Sequence, residues 1–216
     1  MNNSSVIIGF GHKARQGKDT AVHEIVNAFK NKDGIIVKQY SFAEALKKEV
    51  LGREKELCAL HNIEFDENPD MTDPICNGPY GKQRKLLQWY GTQFRRAQNK
   101  YHWIEKVAYQ IDLDFSIIKQ KNPNTNIKFF ALVSDLRFKN EFEWVKTTGG
   151  FTVKVERISD VPLELNNSDH DSENDLNDAK FDYVISAKEG ELTKLKSNAL
   201  EVFDSINQLL YPENNE

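Results

Sequence analysis

The stretch from Ile7 to Thr20, IIGFGHKARQGKDT, restricts what this chain can fold into more than any other. Val6, Ile7 and Ile8 form the short apolar run of a strand buried in a parallel sheet. A glycine-containing turn follows, and Gly17-Lys18-Asp19-Thr20 opens a helical pattern with Ala21, Val22, Ile25, Val26 and Phe29 at its apolar positions. An anion placed at such a strand–helix junction meets backbone N–H groups, the positive end of the helix dipole and, here, the Lys18 ammonium.

The turn approaches the phosphate-loop pattern GxxxxGK[ST] with two departures. His12 stands at the first glycine position, with Gly11 one residue early, and Asp19 replaces the usual hydroxyl residue, with Thr20 immediately after it. Lys13, Ala14, Arg15, Gln16, Gly17, Lys18, Asp19 and Thr20 are therefore the candidates to hold the phosphates of a ligand. Asp19 would hold Mg²⁺ through water while Thr20 supplies a hydroxyl. The structural alternative is a β–α turn carrying surface charge.

Four more strands are predicted: Ile35–Tyr40, Ile127–Ser134, Phe151–Glu156 and Phe181–Ser186. An amphipathic helix over Leu192–Leu210 closes the chain, with Leu195, Ala199, Val202, Ile206 and Leu209 as its apolar stripe. In an open parallel sheet, ligands collect beyond the carboxyl ends of the strands. Asp135, Leu136 and Arg137 sit at the end of the third strand, within reach of the phosphate loop. Asp135 could order Mg²⁺ or accept the attacking oxygen's proton, and Arg137 could neutralise charge on a transferring phosphoryl group. A structural Asp–Arg pair is the alternative, and Asn140 and Glu141 would start the next helix and hold this turn.

Gln83–Val107 reads as one helical pattern with Leu86, Leu87, Tyr90, Phe94 and Ala97 facing inward. On that reading Arg84, Gln88 and Arg95 share a broad face. Arginine forks suit a monophosphate, and Gln88 can both donate to and accept from a base edge. Gly91 and Thr92 would interrupt the helix and allow close approach. Trp89, Tyr90 and Trp103 either stack a base or belong to the core. Seven Lys or Arg and one acid lie between Lys82 and Lys106, whereas Glu156–Asp178 holds eight acids and one Arg. This asymmetry predicts a cationic wall facing a charged ligand and an acidic loop elsewhere.

Residues 62–81 are rich in Pro, Gly and Asp and read as a surface excursion. The loop NNSDHDSENDLND (166–178) is not an EF-hand, because Asn174 replaces the required Gly and Lys180 the bidentate Glu. Arg157, at its root, is a candidate phosphate contact. Hydrophobic residues make up 39% of the 216, enough for a sizeable core, and the net charge of −4 argues against a general nucleic-acid or membrane coat. The longest apolar run, FFALV (129–133), is too short to span a bilayer, and the N-terminus lacks a signal peptide's pattern, so a cytoplasmic protein is expected. Cys58 and Cys76 lack metal-binding spacing and are expected as free thiols.

The run GHKARQGKDT resembles the phosphate loop of the deoxynucleoside monophosphate kinases of tailed bacteriophages, in which Gly-Lys-Asp replaces Gly-Lys-Ser or Gly-Lys-Thr. LLQWYGTQFRR (86–96), SDLRFKNE (134–141) and DHDSE (169–173) strengthen the resemblance, which covers most of the chain from about 6 to 190. Gln93 departs from it, standing where an acidic residue is expected. The resemblance implies an α/β P-loop kinase fold over residues 1–216, with a five-stranded parallel sheet in the order 2-3-1-4-5 flanked by helices. It further implies a monophosphate-binding insertion over 41–110 and a lid over 157–180, with His170 and Glu173 as characteristic lid residues. By the same analogy Ser41, Phe42 and Lys47 lie near the acceptor, and the 83–107 helix forms the acceptor-nucleotide site. The implied reaction moves the γ-phosphoryl group of ATP, with Mg²⁺, to a deoxynucleoside 5′-monophosphate. It would take place in the cytoplasm, that of the host if the gene is phage-borne. The partners are these small molecules, with no nucleic acid and no membrane, and the protein could be a homodimer. The alternatives are a kinase for another small phosphorylated acceptor, such as phosphomevalonate or dephospho-coenzyme A, and a non-catalytic nucleotide- or nucleic-acid-binding protein.

Overall fold

The structure is a computed structural model that describes residues 5–76, 78–123, 125–158 and 174–212. His170, Glu173 and most of the expected lid lie outside these residues. The chain divides into two compact units, Met1–Tyr40 with Ile111–Glu216, and Ser41–Gln110.

The first unit is built on five strands: β1 (Val6–Gly11), β2 (Ile35–Tyr40), β3 (Lys128–Leu136), β4 (Phe151–Ile158) and β5 (Tyr183–Lys188). All pair in parallel in the order β2-β3-β1-β4-β5, as expected. The central strands β1 and β3 are almost wholly buried, which is why their sequences read as continuous apolar runs. Alternation along the strands separates two faces. Ile8 and Phe10 of β1 join a core with Ala21, Val22, Ile25 and Phe29 of helix α1 (Lys18–Phe29) and with residues of the C-terminal helix, α7 (Leu192–Leu210). On the opposite face a side chain at Gly9 would strike Leu136 and Val145, the latter on α6 (Lys139–Thr147). Phe129 stacks there on Phe115 of α5 (His102–Lys121).

Several boundaries differ from those read in the sequence. Strand β3 continues through Asp135 because Leu136 still pairs with Gly11, past an irregularity in register. Strand β5 starts after Phe181, whose ring packs edge-on against Phe142, and after Asp182, whose carboxylate accepts from the N–H and hydroxyl of Thr152 at 2.8 Å. In α7 the apolar stripe turns onto Phe203, 1% exposed, while Leu209 is 64% exposed.

The second unit holds α2 (Phe42–Val50), α3 (Glu54–Leu60), α4 (Arg84–Gln88) and a π-helical segment, Trp89–Arg96, and α5 begins in it. Ser41 caps α2, its Oγ accepting from Glu44 N at 3.2 Å. The helical pattern over 83–107, expected to be interrupted at Gly91 and Thr92, is divided into three pieces. Gly91 lies inside the π-helical segment, where a Cβ would come within 2.9 Å of Leu46 Cδ2, and its carbonyl accepts from Trp103 Nε1 at 3.0 Å. Asn99 then makes a turn, its side chain accepting from Tyr101 N and its carbonyl from His102 N, which starts α5 afresh. The breaker-rich stretch before Gln83 is held from inside. Gln83, 2% exposed, donates to the carbonyls of Asp66 and Tyr80 and accepts from Asp66 N.

Candidate active site

Strand β1 ends at Gly11, and the six residues to Gly17 form a ring around the first lysine of α1. Gly17 adopts φ +94°, and a side chain there would also press within 2.8 Å of Leu195. Ala21 N bonds to Gly17 O at 3.0 Å, the first helical turn. Lys18 is 6% exposed and donates back to the carbonyls of His12 (3.1 Å) and Lys13 (2.5 Å). The loop is thus preformed, with its ammonium inside the curve where a phosphate would compete with two carbonyls for it.

His12, at the first glycine position of the pattern, has φ +94°, a conformation that a β-carbon disfavours. Burial, joined by the positive charges of Lys154, Lys13 and Lys18 and opposed by Glu156, lowers its pKa from the ordinary 6.5 to about 4. Its imidazole is therefore neutral at pH 7, and its buried Nδ1 has no hydrogen-bond partner among the described residues. Arg15 also has positive φ and is exposed.

Register brings two further strand ends to this loop. Gly11 pairs with Leu136 on one side and Lys154 on the other, so Asp135 lies beside the strand end that launches the loop. The turn after β3 is held by Glu141, 1% exposed, whose Oε2 accepts from Arg137 N (2.8 Å) and Phe138 N (3.1 Å). Beyond Lys154, Arg157 N donates to Gln16 Oε1 at 2.5 Å and tethers the loop to β4. The Arg157 guanidinium pairs with Glu189 at 3.2 Å and keeps a buried Nε with no partner among the described residues. A cavity of about 200 Å³ opens here, between Gln16, Gly17 and Thr20, Arg157, and the Gly190–Leu195 turn into α7.

For Mg²⁺, no group of three His, Cys, Asp or Glu that could hold a metal occurs among the described residues. Magnesium keeps several waters and takes phosphate oxygens, so one or two carboxylates suffice. The exposed Asp19 carboxylate and the Thr20 hydroxyl in the first turn of α1, with Asp135, are oxygen donors of the right chemistry.

In the second unit several expected ligands already have partners. Phe42 is 5% exposed and packs inside. Lys47 is drawn to Asp73 (2.7 Å), which also binds Lys82 (2.9 Å) through the same oxygen and accepts from Ile75 N and Cys76 N through the other. Lys47 therefore serves this turn. Arg84 and Gln88 are exposed on α4, and Thr92 is partly exposed. The π-helical geometry adds a residue per turn, so the spacing of seven between Gln88 and Arg95 no longer implies a shared face. Tyr90 and Trp103, each 2% exposed, are core, while Trp89 stacks on Phe94. In the expected cationic wall Lys82, Lys85, Arg95 and Lys106 all pair with carboxylates of their own unit, Arg95 and Lys106 sharing one.

Arg95 pairs with Glu49, which sequence reasoning missed. Glu49 Oε1 accepts from Arg95 Nη2 (2.5 Å) and Tyr90 Oη (3.1 Å), and Oε2 meets His102 Nε2 (3.0 Å) and Lys106 Nζ (3.1 Å). Burial pushes the Glu49 pKa up, but the bonds from His102 and Lys106 and the charges of Lys106 and Arg95 outweigh it and hold the carboxyl at about 2. Nothing local in the helix FAEALKKEV marks Glu49 apart from its acidic neighbour Glu44. Cys58 and Cys76 are buried free thiols.

No established family profile matches the chain. A protein of Acanthamoeba polyphaga mimivirus named "Putative deoxynucleotide monophosphate kinase" is 26% identical over 209 residues, spanning 94% of this chain and 99% of its own. The crystal structure of TT1252 from Thermus thermophilus superposes with a TM-score of 0.47 at 16% identity, over 93% of this chain and 97% of that one. No helix among the described residues is long and apolar enough to cross a membrane.

Proposed function

We propose that the protein is a nucleotide kinase that transfers the γ-phosphoryl group of ATP to a deoxynucleoside 5′-monophosphate. The observation that carries this reading is the preformed loop of residues 12–17, closed around Lys18 at the carboxyl end of β1 and flanked by the ends of β3 and β4. The name of the mimivirus relative, which aligns over nearly its whole length, supports the acceptor class.

In this reading the loop amides and Lys18 hold the β- and γ-phosphates, and Arg137 offsets charge on the phosphoryl group in flight. The cavity beside Gln16, Thr20 and Arg157 takes the donor's nucleoside. Mg²⁺, held by Asp19, Thr20 and Asp135, would supply charge neutralisation at the phosphate oxygens. Residues 41–110 form the acceptor lobe and 157–180 the lid, with Arg95 the principal contact to the acceptor's phosphate and Arg84 and Gln88 at its rim. An acceptor phosphate oxygen attacks the γ-phosphorus, the bond to the β-phosphate's bridging oxygen breaks, and the products are ADP and the deoxynucleoside diphosphate. The pairing of four basic residues with carboxylates favours a small anion over an extended nucleic-acid backbone.

The test is ADP release from ATP and Mg²⁺ with dAMP, dCMP, dGMP and dTMP against the corresponding ribonucleotides, phosphomevalonate and dephospho-coenzyme A. Stimulation by at least one deoxynucleoside monophosphate is expected. Stimulation only by one of the other acceptors would reassign the substrate, and no stimulation by any would overturn the reading.

A further inference from the structure

Two carboxylates in the second unit each collect basic side chains, and they differ in one respect. Asp73 uses both oxygens on groups that shape its own turn, two backbone amides on one and Lys47 and Lys82 on the other. Glu49, with a side chain 13% exposed, receives a guanidinium, an ammonium, an imidazole and a phenol, which come from two elements beyond its own, the π-helical segment and α5. A carboxylate has about four acceptor directions, and all four are used here. Even with His102 neutral, Arg95 and Lys106 outnumber Glu49, so the cluster keeps a net positive charge. Glu49 thus orients its cations without cancelling them.

Arg95 shows what that orientation does. Glu49 Oε1 meets Nη2, the Tyr90 hydroxyl also bonds to the guanidinium, and the guanidinium lies 5.1 Å from the centre of the Tyr90 ring and 5.4 Å from that of Phe94. Its Nε is buried with no partner among the described residues. An unpaired arginine would sample many rotamers and lose that freedom on binding a ligand. Held by one edge against two rings, the fork needs no ordering and can present its remaining donors to an oxyanion. The surrounding π-helical geometry is of the kind found at functional sites.

We propose that Glu49 is a positioning residue of the acceptor site, fixing Arg95 in the orientation that receives the monophosphate. The inference rests on the assignment of Arg95 to the acceptor phosphate given above. It makes Glu49 act through Arg95, so the effects of removing the two are not additive.

The experiment is a double-mutant cycle with Glu49→Gln, Arg95→Ala and both, measuring the KM of the best deoxynucleoside monophosphate, the KM of ATP, kcat and the thermal midpoint. Glu49→Gln should raise the acceptor KM about tenfold with the KM of ATP within about twofold of wild type, as for loss of one charge-assisted contact. The double variant should show no further rise beyond Arg95→Ala. Glu49→Asp, which withdraws the carboxylate by one methylene, should show the same split and stands in if Glu49→Gln does not fold. An unchanged or lowered acceptor KM in Glu49→Gln, or additive effects in the double variant, would overturn the positioning role. If Arg95→Ala itself leaves the acceptor KM unchanged, the assignment of Arg95 fails instead, and the two failures are distinguishable.

Discussion

His12 shows how much one residue can impose. It takes a backbone conformation suited to glycine, and burial, helped by three neighbouring lysines, holds its imidazole neutral. Because its folded pKa of about 4 lies below the ordinary 6.5, the unfolded chain binds a proton between those values that the folded chain does not. Stability should therefore be steady above pH 6.5 and fall as the pH drops from there to 4. Glu49, held at about 2 against an ordinary 4.5, acts in a lower window, its contribution present above 4.5 and lost towards 2. Urea denaturation across this range should show the upper slope in the wild type and not in His12→Asn, since asparagine tolerates positive φ without titrating. An equal slope in both would refute the burial of a neutral imidazole.

At the scale of elements, the turn after β3 depends on α6 through one carboxylate. Glu141 is almost fully buried and receives two backbone N–H groups, so Glu141→Ala removes an acceptor that both share. The expected loss is about 2 to 4 kcal/mol of unfolding free energy, read from urea midpoints, with turnover falling because Asp135 and Arg137 lose their frame. A change under about 0.5 kcal/mol would mean that the turn is held otherwise. Glu141 was legible in the sequence as a residue near the start of a helix, because such contacts are local. The strands and α1 were legible for the same reason, their apolar period being set by burial of one or both faces. The interruption at Gly91 was legible too, but its π-helical form and the restart of the helix after Asn99 were not. The apolar pattern of 83–107 keeps a helical period on both sides of the glycine, and which residues close on it, Leu46 and Trp103, and where the next helix begins are set by contacts distant in sequence.

For the whole molecule, a ligand that binds only the folded chain stabilises it by mass action. ATP with Mg²⁺ at about a hundredfold excess over its Kd should add about 2.7 kcal/mol to the unfolding free energy with no acceptor present. Lys18→Ala should keep the fold, lose most of this stabilisation and lose most turnover. Thermal or urea midpoints with and without ATP check both points, and an undiminished shift in Lys18→Ala would remove the lysine from the donor site.

The order of elements, the glycine turn between β1 and α1 and the acidic and basic residues at strand ends could all be read from the chain, because each is written in neighbouring residues. The partners of Lys47 and Arg95 could not. Asp73 and Glu49 are distant in sequence from some or all of the cations they hold, and only folding makes them neighbours. An ion pair is set by distance in space, whereas periodicity reports only which way a side chain faces. The sequence therefore carried the loop of residues 12–20, and the tertiary structure alone decided that Glu49 holds Arg95.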